Sequence, residues 1–128
     1  MPRESGPPVH PYQSVLVLEP VSSLRNIVTG FLRLSRIPDI ITCISPVEAI
    51  RVCRSQKIDL VIMGSTHKVG YALALALRLG KDSPDRSVPL MLLEKMPSKK
   101  TVLGARNSGI NTVLAFPFSA SVLHRRIE

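Results

Sequence analysis

The chain has no tryptophan, two tyrosines and three phenylalanines among its 128 residues, so its interior is not built on aromatic packing. Cysteine is also scarce. Cys43 and Cys53 stand ten positions apart with no clustered histidine. That spacing excludes a zinc site and reads as two buried thiols in a reducing compartment rather than a disulfide. No apolar run approaches the roughly 20 residues that span a bilayer, and the first residues lack the apolar core of a secretory signal. No membrane role is expected, and a cytoplasmic location is. No GxxxxGK phosphate loop occurs. His10, His67 and His124 are far apart, and Ser14, Ser65 and Ser98 have no base near them in sequence. No nucleophile can be paired with a base, so the chain is not expected to be an enzyme and no cofactor is called for.

Acidic residues are the other shortage. Nine stand against 17 Lys and Arg, a formal net charge of +8, which invites an acidic partner. The positive residues are scattered, without the interleaved aromatics that stack bases. What the sequence has in quantity is aliphatic residues. Hydrophobic residues make up 45%, enough for one domain with its own core.

Residues 1–12 carry Pro2, Pro7, Pro8 and Pro11 and read as a flexible leader; residues 13–128 read as the domain. Ser14–Leu18 is a short apolar run suited to a strand buried on both faces. Leu24, Ile27, Val28, Phe31 and Leu34 then recur at helical spacing. Asp39–Cys43 reads as a second strand. Ser45, Pro46 and Glu48 form a helix start: a cap, a proline at the first helical position and the acid of a capping box. Ile58–Met63 is a third strand, and Gly70–Gly80 a helix by its Leu and Ala content. Val88–Leu93 is a fourth strand with Pro89 near its start. Ser98 caps a helix to about Ser108, stopped by Gly109. Asn111–Ala115 is a fifth strand, and Ser119 opens a last helix to Glu128. This alternation predicts an α/β, flavodoxin-like (βα)5 three-layer sandwich. Its parallel five-stranded sheet has the order 2-1-3-4-5.

Several segments, in order and spacing, resemble the receiver domains of the bacterial response-regulator family. Val15–Pro20 is similar to the first receiver strand, which ends in an acidic pair. Ser45–Ile50 resembles the opening of the second helix, and Ile58–Met63 the strand that delivers the phospho-accepting aspartate. Val88–Leu93 resembles the fourth strand, and Gly109–Phe118 the fifth strand with its Lys-Pro turn. The resemblance covers residues 13–128 and implies a two-component-type signalling module. It also implies a cis Pro117; the last helix is short beside the family's, which leaves a front piece of a longer protein, its downstream effector removed, as one alternative.

The positions that carry the family's chemistry depart from its pattern. Glu19 takes the place of the first acid and Pro20 that of the second. Gly64 stands where the phospho-acceptor would be. Glu94 replaces the switch hydroxyl, Phe116 the lysine, and Val113 the switch aromatic. Acyl-phosphate formation needs a carboxylate nucleophile, several oxygen ligands for Mg2+ and a cation for the phosphoryl oxygens. Three parts of that machinery are missing, so a degenerate receiver without phosphorylation and without a metal is expected. Asp59, five residues before Gly64, lies roughly 16 Å away along a strand and is expected to face solvent. Glu94 is expected to swing to solvent or pair with Lys95, against the alternative that it points into the pocket as a fixed mimic of the signalling state. Phe116 is expected to fill space vacated by charge.

What remains is surface. By the resemblance, the face of the fourth helix, fifth strand and fifth helix carries Lys99, Lys100, Arg106, Val113, His124, Arg125 and Arg126. It reads as a docking face for a protein with an acidic surface, or a homodimer interface. The alternative partner is a cyclic dinucleotide or nucleic acid, since guanidinium groups suit phosphates.

Overall fold

Aliphatic runs too short for helices become strands here; the three central ones are covered on both faces, while the two edge strands stay partly exposed. The computed structural model describes residues 12–64, 67–95, 97–115, 123, 125 and 126. Their elements are β1 (Ser14–Leu18), α1 (Ser22–Leu34), β2 (Asp39–Cys43), α2 (Pro46–Ser55), β3 (Leu60–Met63), α3 (His67–Leu79), β4 (Leu90–Glu94), α4 (Lys99–Asn107) and β5 (Thr112–Ala115). Among the described residues the strands form one parallel sheet ordered β2-β1-β3-β4-β5, as the sequence predicts. The register places Leu18 beside Cys43 on one side and Met63 on the other.

Alternate strand residues face two cores. Leu16, Leu18, Val61, Met63, Leu90 and Leu92 pack with Ala49 of α2, Leu73 and Leu77 of α3, and Ala105 of α4. Val15, Val17, Leu60, Ile62, Met91 and Leu93 pack on the other face with Val28 and Leu32 of α1 and with Leu123. Three layers result: α2, α3 and α4 cover one face, α1 and the segment of Leu123 the other.

Local chemistry sets the boundaries. Ser45 Oγ accepts the Glu48 amide at 3.2 Å, while Glu48 Oε1 reaches back to the amide of Ile44, one residue earlier than a standard capping box. The third strand starts at Leu60 rather than Ile58. Asp59 does not simply face solvent: its Oδ2 accepts the amides of Gln13 and Ser14 at 2.9 and 3.0 Å and ties down the entry to β1. The fourth strand starts at Leu90 rather than Val88, because Pro89 has no amide to give the ladder. Its carbonyl still accepts from Val61 at 2.9 Å. The buried stripe of α1 is also rotated from expectation. Val28 and Leu32 are buried, whereas Ile27 and Leu34 are exposed. In α3, Leu73 and Leu77 are buried while Leu75 and Leu79 are exposed, a helical and not a strand alternation. The leader to residue 11 and the helix expected from Ser119 lie mainly outside the described residues.

Candidate functional site

In a sheet of this order the crevice lies outside the carboxyl ends of the strands, near the point where strand order reverses between β1 and β3. Glu19, Gly64 and Glu94 stand there. Glu19 donates its amide to Cys43 O at 3.1 Å and Gly64 donates to Leu18 O at 2.9 Å, so both stay on the ladder one residue past their strands. Glu94 is the last residue of β4 and pairs with Ala115 of β5.

Glu19 is only 1% exposed. Its Oε2 accepts the amide of Val21 at 2.8 Å. Val21 is the N-cap of α1 and has no capping side chain of its own. The Glu19 carboxylate therefore serves the amino end of α1, where backbone partial charge is positive, and that offsets part of the cost of burying it. Arg25, within the first turn and a half of α1, donates from Nη1 to Glu19 O at 2.8 Å and reaches Pro20 O at 3.4 Å. The turn is thus clamped by its own carboxylate beneath and a guanidinium at its side.

Gly64 is buried. A Cβ on residue 64 would sit 2.6 Å from Glu19 Cδ and 3.1 Å from Cγ, with Oε1 nearer still. Gly109 is the described glycine in the left-handed region, with φ +84, so backbone strain does not reserve position 64 for glycine. The Glu19 side chain does.

Glu94 is 8% exposed, and its Oε1 accepts the Lys95 amide at 3.0 Å. The expectation that it swings to solvent is therefore corrected: a local backbone bond folds the carboxylate inward. Pro20 is exposed. Phe116 and Pro117 lie outside the described residues, so the fill of the pocket by the Phe116 ring and the cis Pro117 step do too.

These residues do not fit a bound Mg2+. Such an ion needs near-octahedral oxygen ligands and exchangeable waters. Here the Glu19 and Glu94 carboxylates are each buried with an oxygen on a backbone amide, position 64 offers no side chain, and the carbonyls of residues 19 and 20 accept from Arg25. Among the described residues no group of three or more His, Cys, Asp or Glu side chains comes together as a metal would require.

The expected docking face divides in two. Lys99, Lys100 and Arg106 are exposed on α4, and Val113 of β5 is half-buried against the α4 side of the core. A groove of about 440 Å³ beside them is lined by Pro97, Ser98, Lys99, Val102, Leu103 and Arg106. Arg125 and Arg126 are exposed in the segment that Leu123 anchors in the opposite layer. His124 lies outside the described residues. Sequence reasoning named Val113 as the apolar part of this face and did not name Val102 and Leu103, which are 38% and 54% exposed. Their signal was present, since in a nine-residue helix whose buried residue is Ala105 the adjacent apolar pair cannot all face the sheet.

Among the described residues no helix is long and apolar enough to cross a membrane. No protein-family model matches the sequence, and no curated protein does. Solved structures do. The chemotaxis protein CheY4 of Vibrio cholerae shares 19% identity at a TM-score of 0.79, covering 89% of this chain and 94% of its own. The receiver domain of sensor histidine kinase PA1611 from Pseudomonas aeruginosa, described with a magnesium ion coordinated in its active site cleft, shares 21% at 0.76, covering 90% and 93%. The receiver domain of a Saccharomyces cerevisiae response regulator, seen with a histidine phosphotransfer signaling protein, shares 22% at 0.77, covering 94% and 89%. At these identities the likeness establishes the fold.

Proposed function

We propose that this chain is a receiver-type signalling module that works without phosphoryl transfer, through a docking face for a protein partner. The observation that carries the reading is the glycine at the carboxyl end of β3. Aspartyl phosphorylation needs a carboxylate nucleophile there, and Gly64 has no side chain. The poor fit to a divalent cation supports the same reading. Incubation of the purified chain with acetyl phosphate and Mg2+, followed by intact-mass measurement, is expected to show no added phosphoryl group. A stoichiometric gain of one phosphoryl group sinks the proposal.

A protein partner is the favoured ligand, in keeping with the receiver domain of similar fold seen bound to a histidine phosphotransfer protein. On α4, exposed Lys99, Lys100 and Arg106 surround exposed Val102 and Leu103. Cationic groups rimming an apolar patch suit an acidic protein surface: charge steers and selects, and the apolar contact supplies affinity. Affinity capture with wild-type protein and with Lys99→Glu, Lys100→Glu, Arg106→Glu tests the face. The triple variant is expected to lose its partner; unchanged recovery rules this face out. The net charge of +8 favours a second reading, binding of a cyclic dinucleotide or nucleic acid, which a steep fall of affinity with salt would support.

A further inference from the structure

We propose that Glu19 is the resident occupant of the carboxyl-edge pocket, a built-in lock that holds the β1–α1 turn against β3 in one arrangement. This rests on the reading of the chain as a phosphorylation-independent module and adds to it how the pocket is held. Three observations join in it. A Cβ on residue 64 would fall 2.6 Å from Glu19 Cδ, so the carboxylate lies in the volume a side chain from β3 would fill. Glu19 Oε2 accepts the Val21 amide, so the same group caps α1. The backbone at residue 64 is not left-handed, so what a side chain there would have to displace is the Glu19 carboxylate and not the chain path.

The long acid on β1 and the missing side chain on β3 are therefore one coupled feature. A carboxylate reaches the place beside β3 from the neighbouring strand, through the extra methylene of glutamate, and bonds to the amino end of a helix. The volume is filled and the turn is tied by groups within the chain, so its arrangement does not wait on an added ligand. A side chain restored at position 64 alone collides with the lock; removing the lock alone leaves a void and an uncapped helix.

A double-variant cycle on the purified chain tests this by urea unfolding. Gly64→Ala is expected to lower the folded-to-unfolded ratio roughly ten- to a hundredfold by overpacking. Glu19→Ala lowers it too. The double variant is expected to lose about tenfold less than the two single losses multiplied together, because the new methyl enters the space the carboxylate left. Strict additivity overturns the proposal. If Gly64→Ala does not fold, amide hydrogen exchange decides: protection at Val21 and Gly64 is expected to drop in Glu19→Ala and to persist in Glu19→Gln, which keeps the shape and an acceptor oxygen. Equal protection in all three proteins overturns the lock. Phosphoryl uptake by the wild-type chain with Mg2+ instead refutes the functional reading beneath it, so the two failures are distinct.

Discussion

At the scale of single residues, burial decides which groups keep chemistry available. Cys43 is enclosed at the end of β2, and burial above all, with Glu48 and Cys53 adding to it, pushes its thiol from 9.0 up to about 12. A thiol with a raised folded-state pKa holds its proton more tightly when folded. Its stabilisation is complete below pH 9 and is lost as pH climbs toward about 12. We therefore predict a stability loss above pH 9 with a slope of at most roughly 1.4 kcal/mol per pH unit from this group. Urea midpoints at pH 8, 9, 10 and 11 for wild type and Cys43→Ala check it, the variant removing this thiol while the lysines and tyrosines titrate in both. Equal slopes in the two proteins defeat the prediction. Cys43 was legible as a buried thiol because its strand is apolar. The geometry around Glu19 was not. Its position as an acid at a strand end could be read, but its reach across to residue 64 depends on the register of β1 against β3, and no local pattern carries that.

Elements meet through a few side chains that sequence periodicity does not reveal. Arg78, near the end of α3, donates to Gly109 O at 3.0 Å, to Arg86 O at 2.9 Å and to Asn111 Oδ1 at 3.0 Å. Asn111 Oδ1 in turn accepts the Leu90 amide at 2.8 Å. One planar guanidinium thus joins α3, the approach to β4 and the turn into β5. Its fork geometry matters, so Arg78→Lys is not conservative. Arg78→Ala is predicted to destabilise by roughly 2 kcal/mol and Arg78→Lys by nearly as much, measured by chemical unfolding. A lysine variant as stable as wild type refutes the role of the fork. Ser45→Ala is predicted to cost about 1 kcal/mol by leaving the Glu48 amide unmet, read in the same assay; no change means water caps α2 equally well. The existence and order of the elements were legible because strand and helix periods differ and Pro46, Ser98 and Gly109 mark ends. The rotation of α1 was not. Adjacent apolar residues such as Ile27 and Val28 satisfy one helical stripe equally well in sequence, and only the sheet beneath selects Val28.

For the whole molecule, the balance of charge depends on where the few acids sit. Glu19 and Glu94 are buried, Asp39 and Asp59 accept hydrogen bonds at the amino edge of the sheet, and Asp85 faces Lys57 at 3.5 Å. Helices α1, α3 and α4 contain no acidic residue. The positive field is therefore spread over both helical layers, which favours broad attraction of an acidic body over phosphate readout at one point. The two classes of partner then differ in their response to salt. Counterion release makes nucleic-acid affinity fall steeply and linearly on logarithmic axes. A protein contact that also buries Val102 and Leu103 retains affinity once charges are screened beyond about 8 Å near physiological ionic strength. We predict that any binding of labelled duplex or single-stranded DNA, followed by anisotropy, vanishes between about 50 and 200 mM salt. Over that range the captured protein partner is expected to slow in association while its dissociation stays nearly constant. Lys99→Glu, Lys100→Glu, Arg106→Glu should act mainly on the association rate, whereas Val102→Ser, Leu103→Ser should act on dissociation. DNA binding that survives at 200 mM, or a partner whose dissociation ignores the apolar pair, would move the proposed docking surface off α4 and onto the dispersed arginines.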